Sequence, residues 1–133
     1  MESSSTPQLR KILNIYNNFL PSSTFPYIPF IIAAFFQSMA WIAGPIYFNN
    51  FRLVSRTLIL MTFAFGEYLF MSPAMNAGVE ILNMKESQLV ITYHITTLIV
   101  FIFLHIFIFK KTFEKKYVLA VIFSVLAIYF ANI

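Results

Sequence analysis

Residues 88–109 read QLVITYHITTLIVFIFLHIFIF, a run without an acid, a lysine or an arginine. At 1.5 Å of rise per residue, such a helix reaches across the roughly 30 Å of hydrocarbon in a bilayer. A barrel strand would be shorter and would alternate in polarity, which Leu98-Ile99-Val100-Phe101-Ile102-Phe103-Leu104 does not. Working outward from this stretch, Tyr27 to Phe48, Leu53 to Ser72 and Tyr117 to Ile133 have the same character, the last being the shortest. The fold expected is all-α: a four-helix transmembrane bundle with an amino-terminal amphipathic interfacial helix, divided as 1–25 and 26–133. Asn49-Asn50, the segment Pro73 to Glu86 containing Gly78, and Lys110 to Lys116 punctuate the spans. The second of these is expected to be the only long loop.

Composition excludes much else. Fifty-nine per cent of the 133 residues are hydrophobic, 11% are charged and the chain carries no cysteine, so lipid is the expected solvent and disulfides and thiolate zinc sites are ruled out. The net charge of +4 lies in short clusters between apolar runs, a pattern of membrane anchoring rather than nucleic-acid binding. No HExxH, phosphate-cradling glycine loop or nucleophile elbow occurs. The expectation is therefore a non-enzyme without a cofactor or a metal, whose first partner is the bilayer.

The first 25 residues lack the apolar core and cleavage site of a secretory signal and are expected to remain. Between Gln8 and Leu20, residues Leu9, Ile12, Leu13, Tyr16, Phe19 and Leu20 recur at helical spacing behind Thr6-Pro7, a capping residue and a first-turn proline. This predicts a helix lying on the bilayer surface, against the alternative of a floppy tail. Arg10, Lys11 and Lys85 fall on one side of the expected spans; Arg52, Arg56, Lys110, Lys111, Lys115 and Lys116 fall on the other. The positive-inside rule then puts both termini outside, with a dual orientation as the competing arrangement.

Small residues form two seams, Ala33, Gln37, Ala40 and Gly44 in the first span, and Ala120, Ser124, Ala127 and Ala131 in the fourth. In lipid, close backbone approach drives helix association, so these are expected contact faces, within one bundle or, for the fourth helix, in a homodimer.

Glu67 is the only acid inside an expected span, where a carboxylate usually pairs, protonates or lines an aqueous path. Counted from the helix centres, Glu67 and His94 lie at equal depth, so a Glu67–His94 contact completed by Gln37 is the expected polar centre. The competing reading makes Glu67 a packing lock held by hydroxyl or backbone partners. His105 lies about three turns from His94, which argues against a two-histidine metal site. Trp41 and the tyrosines at 27, 47, 68, 93, 117 and 129 read as interface anchors or packing residues.

Ala40-Trp41, Phe65-Gly66-Glu67-Tyr68 followed by Pro73-Ala74, Gln88-Leu89, Thr97-Leu98-Ile99-Val100-Phe101 and Ala127-Ile128-Tyr129-Phe130 together resemble a family of small bacterial membrane proteins. This is a domain of unknown function within the drug/metabolite transporter superfamily. The resemblance spans roughly residues 28 to 130 and implies four helices and an architecture similar to small multidrug transporters. The family pattern continues after Pro-Ala with Asn-Arg and has a Gln-Glu pair in the third helix, where this chain has Met75-Asn76 and Tyr93-His94. The small multidrug transporters couple through a first-helix carboxylate; here that helix offers Gln37. The expected function is a transporter-like protein of unknown substrate, the alternative being a non-transporting scaffold or partner-binding subunit.

Overall fold

The computed structural model describes residues 6–112 and 114–133, without the side chains at 128, 131 and 132. The described residues are helical and contain no strand: α1 (Thr6–Phe19), α2 (Tyr27–Tyr47), α3 (Leu53–Glu80), α4 (Glu86–Phe103) and α5 (Lys115–Asn132). A short 3₁₀ turn, Ser22–Thr24, precedes α2, and a π-helical turn, Leu104–Ile108, prolongs α4. Three helical segments, Tyr27–Tyr47, Leu53–Glu80 and Glu86–Ile108, are long and apolar enough to cross a membrane. The expected fourth span falls on α5, which is helical but is not among those three.

The long loop expected from Pro73 onward is largely helix. Proline removes one N–H donor, yet helices destined for lipid tolerate it where neighbouring helices support the backbone. That support is present here: Ala74 and Ala77 are buried, and Gly78 lies against Leu89 of α4. Only after Glu80 does the chain turn, through Asn83 in the left-handed region (φ 53°), with the Met84 amide donating to the Gly78 carbonyl at 3.0 Å. Asparagine is among the few side chains that tolerate this conformation. The next helix starts at once, its Lys85 amide donating to the Gln88 side-chain oxygen at 3.4 Å, with Glu86 in the first turn complementing the helix dipole.

α2 packs between α3 and α4, and α5 leans on α4. The main core sits at one end of this array, where Leu9, Phe25, Phe30, Ala33, Ala74, Ala77, Leu89 and Tyr93 meet. That Leu9 belongs to it corrects the picture of α1 as a helix resting only on lipid. Leu9, Leu13 and Tyr16 turn inward onto the core, and the Thr6 hydroxyl donates to Glu80 Oε2 at 2.9 Å. The Tyr16 and Thr24 hydroxyls are 2.6 Å apart, and the Tyr16 ring meets Phe25 edge-on. Of the rest of the expected apolar stripe, Ile12 and Phe19 face outward and Leu20 is half-buried; Ile15, outside that stripe, is exposed as well. Elsewhere the outer surface is strongly apolar, with Leu58, Met61, Phe65, Leu69, Ile99 and Phe103 exposed, as a surface solvated by lipid requires.

A Cβ on Gly78 would lie 2.8 Å from Leu89 Cδ1 and 3.0 Å from Cδ2, and Leu89 is fully buried. Gly78→Leu is expected to destabilise the fold by about 1–3 kcal/mol through overpacking, measured by thermal unfolding in detergent; an unchanged midpoint would contradict this α3–α4 contact.

Candidate functional site

The structure brings the intramembrane acid of the sequence to a junction of three helices. Gly66 lets α3 approach α2 closely: a Cβ there would lie 2.9 Å from Phe36 Cδ1. Phe36 in turn stacks on Phe70. The neighbours of this contact, Gln37 on α2 and Glu67 on α3, are carried toward the same point. From α4 comes Tyr93, its ring buried and tilted against Phe30 with centroids 5.3 Å apart. The Tyr93 hydroxyl donates to Glu67 Oε1 at 2.6 Å and lies 3.3 Å from Gln37 Oε1. Glu67 is 8% exposed, so this hydrogen bond supplies a partner to a group that is expensive to bury unpaired.

The triad has two consistent hydrogen-bond patterns, because a phenol carries a single hydrogen and can also accept. With an ionised Glu67, the hydrogen points to the carboxylate. With a protonated Glu67, the acid donates to the phenol oxygen, and the tyrosine hydrogen is released toward Gln37 Oε1. The direction of these two hydrogen bonds would therefore follow the charge on Glu67.

The expected Glu67–His94 contact is not formed. Adjacent helical positions differ by 100°, and with Tyr93 turned inward, His94 is exposed and touches the Tyr93 ring at a centroid distance of 5.9 Å. Gln37 does join Glu67, through Tyr93. The depth reckoning also shifts: because α3 continues to Glu80, Glu67 lies at the helix midpoint instead of near one end. Tyr93, read from sequence as an anchor or packing residue, is the missing member. Its signal lay in the Tyr93-His94 pair that stands where the resembled family has Gln-Glu.

Beside the triad a cleft of about 270 Å³ opens between α2 and α4, lined among others by Gln37, Ser38, Trp41, His94, Thr97 and Phe101. Its lining is mainly apolar. Ser38 is buried, and its Oγ has no hydrogen-bond partner among the described residues, a condition that costs about 1–3 kcal/mol. His105 stacks on Phe101 and stays apart from any cluster of metal-binding groups; among the described residues no such cluster of three or more occurs.

The seams divide. Ala33 is in the core, Ala40 is half-buried, and Gly44 is buried facing Leu60 of α3, whose Cδ1 would be 3.0 Å from an added Cβ. On α5, Ala120 and Ala127 are exposed, and Ser124 is half-buried with its hydroxyl bonded to the Ala120 carbonyl at 2.8 Å. The Ala131 side chain lies outside the described residues. The fourth-helix seam is therefore not used for packing within the chain over the described positions.

A family model described as "Putative member of DMT superfamily (DUF486)" matches residues 27–132. The chain belongs to this family, DMT_6. The match begins at the first residue of α2 and contains all three members of the triad, whereas α1 lies outside it. DMT_6 has no established function, so membership supplies the membrane setting without a substrate. Among curated proteins and among solved structures, none matches the chain.

Tyr93→Phe is expected to destabilise the protein by about 1–3 kcal/mol by stripping the carboxylate of its donor. A double-mutant cycle of Tyr93→Phe with Glu67→Gln, read by unfolding in detergent, should show coupling of about 0.5–3 kcal/mol, and a cycle of His94→Ala with Glu67→Gln should show almost none. Stronger coupling through His94 would overturn the arrangement.

Proposed function

We propose that this protein is a multi-pass membrane protein that moves a small molecule, with the Glu67–Tyr93–Gln37 triad as its polar centre. The observation that carries the reading is the placement of the triad: a carboxylate at the midpoint of an apolar helix is hydrogen-bonded by a tyrosine whose other neighbour, Gln37, lines a cleft. A lock serving packing alone has no need of an open cleft at its far end. α5 completes the set of four spans, with both termini outside by the distribution of basic residues. The exposed Ala120 and Ala127 face supports a second copy as its cover, since close helix approach is what such a stripe provides in lipid.

The same uncovered face favours a second reading, in which the chain is a non-transporting subunit that binds a partner through α5. Flux separates the two. In proteoliposomes, uptake of small neutral and cationic solutes under an imposed pH gradient is expected for the wild type, and Glu67→Gln should abolish its dependence on the gradient. Uptake unaltered by that substitution would remove Glu67 from the mechanism, and absence of uptake across the solute set would leave the subunit reading in place.

A further inference from the structure

Five helical hydroxyls in this protein follow one habit. Thr57, Thr62, Thr96, Thr97 and Ser124 each donate to the carbonyl four residues earlier, at 2.8–3.1 Å. This local bond is the ordinary way a helix satisfies such a side chain. Ser38 departs from it: it is 2% exposed, lines the α2–α4 cleft, and its Oγ is unpartnered among the described residues. A buried polar atom left this way is unusual in folded proteins and calls for an explanation, which a partner from outside the chain supplies.

The cleft limits what that partner can be. None of its lining residues is an Asp, Glu, Lys or Arg, and Glu67 is turned away, engaged by Tyr93. A cationic ligand would leave water without a countercharge, and an anionic one would find only the exposed His94. A lone water is poorly served as well, because it needs two to four polar partners and Gln37, Ser38, His94 and Thr97 present little polar surface to the cleft. The volume of about 270 Å³ exceeds the 150 Å³ or so that suffices for benzene, and Trp41 and Phe101 offer aromatic surfaces for a flat body. Trp41 is 76% exposed, so the cleft opens on the outer side of the helices, where a membrane-soluble molecule arrives.

We propose that the α2–α4 cleft binds a small neutral amphiphile, a ring-sized apolar body carrying one hydroxyl or amide group, with Ser38 hydrogen-bonding that group and Trp41 and Phe101 flanking the ring. Gln37 borders this cleft and also contacts Tyr93 of the triad, so the bound molecule sits beside the polar centre. As a statement about substrate, this deepens the transport reading above and rests on it; as a statement about binding, it stands by itself.

Trp41 is the chain's single tryptophan and reports directly on the cleft. The full chain in lipid nanodiscs is titrated with benzyl alcohol, toluene and benzyltrimethylammonium while Trp41 emission is followed. Benzyl alcohol is expected to give a saturable change, toluene to bind about 3- to 10-fold more weakly for want of one hydrogen bond, and the cation to bind no better than toluene. Ser38→Ala should bring benzyl alcohol to the level of toluene and leave toluene unchanged, with thermal stability equal or higher because an unpaired hydroxyl is removed. Three results would overturn the site: a change linear in concentration, which signals partition into lipid; tighter binding of the cation; or benzyl alcohol affinity indifferent to Ser38→Ala. Binding as expected together with no uptake of any solute in the set sinks the transport reading alone. Glu67-dependent flux of a solute that fails to compete with benzyl alcohol overturns the substrate class and spares the transport reading.

Discussion

A carboxylate withdrawn from water has to find a donor, and in this protein the donor is the hydroxyl of Tyr93, 2.6 Å from Glu67. Much of the central architecture is arranged around making that bond. Gly66 brings α3 against the Phe36 ring of α2, and the Phe30 ring supports Tyr93 from the side. Because packing in lipid gains nothing from hiding apolar groups from water, a hydrogen bond between helices and the close approach that permits it carry much of the specificity of assembly. Three helices that would otherwise slide past one another are thereby held in one register.

The same bond has a directional property that purely apolar contacts lack. The phenol can donate to the carboxylate or accept from the protonated acid, and in the second state its hydrogen faces Gln37. Protonation of Glu67 on α3 would thus present a hydrogen to Gln37 Oε1 on α2 with little movement of heavy atoms. A structural lock and a chemical relay need not be alternatives, since one set of atoms satisfies both descriptions.

Helix positions were readable from sequence because apolar runs and their basic or asparagine punctuation act over many residues: α2 begins at Tyr27 and α3 at Leu53, as expected, and α4 with its π-helical turn ends at Ile108. Pro73 was misleading because its effect is decided by neighbours; with Ala74, Ala77 and Gly78 packed against other helices, the lost donor does not end α3. The site was legible in two of its members. Glu67 and Gln37 stand out as polar residues in apolar surroundings, but the choice between Tyr93 and His94 depends on a rotation of 100° about α4, which depth counting does not contain. Ser38 carries no signal in the sequence, because only coordinates reveal that it forgoes the bond made by Thr57, Thr62, Thr96, Thr97 and Ser124. The two-sided character of α1 was hidden for a similar reason: one helical stripe in sequence is split in space between Leu9, Leu13 and Tyr16 inside and Ile12 and Phe19 outside.

That split bears on the unusual length of α3. Its 28 residues extend about 42 Å, some 12 Å more than the hydrocarbon layer, and the common tilt of about 20° shortens the projection by only a few ångströms. In a spanning α3 the surplus would emerge into the headgroup zone, and at its carboxyl end bare turns would set Ala77 and Val79 against water. α1 is fastened to that end, through Thr6 on Glu80 and Leu9 in the core beside Ala77, and presents Ile12, Ile15 and Phe19 on its far side. Packed there, it collars the long helix, so that the fit of a spanning α3 to bilayer thickness would be a property of two elements distant in sequence.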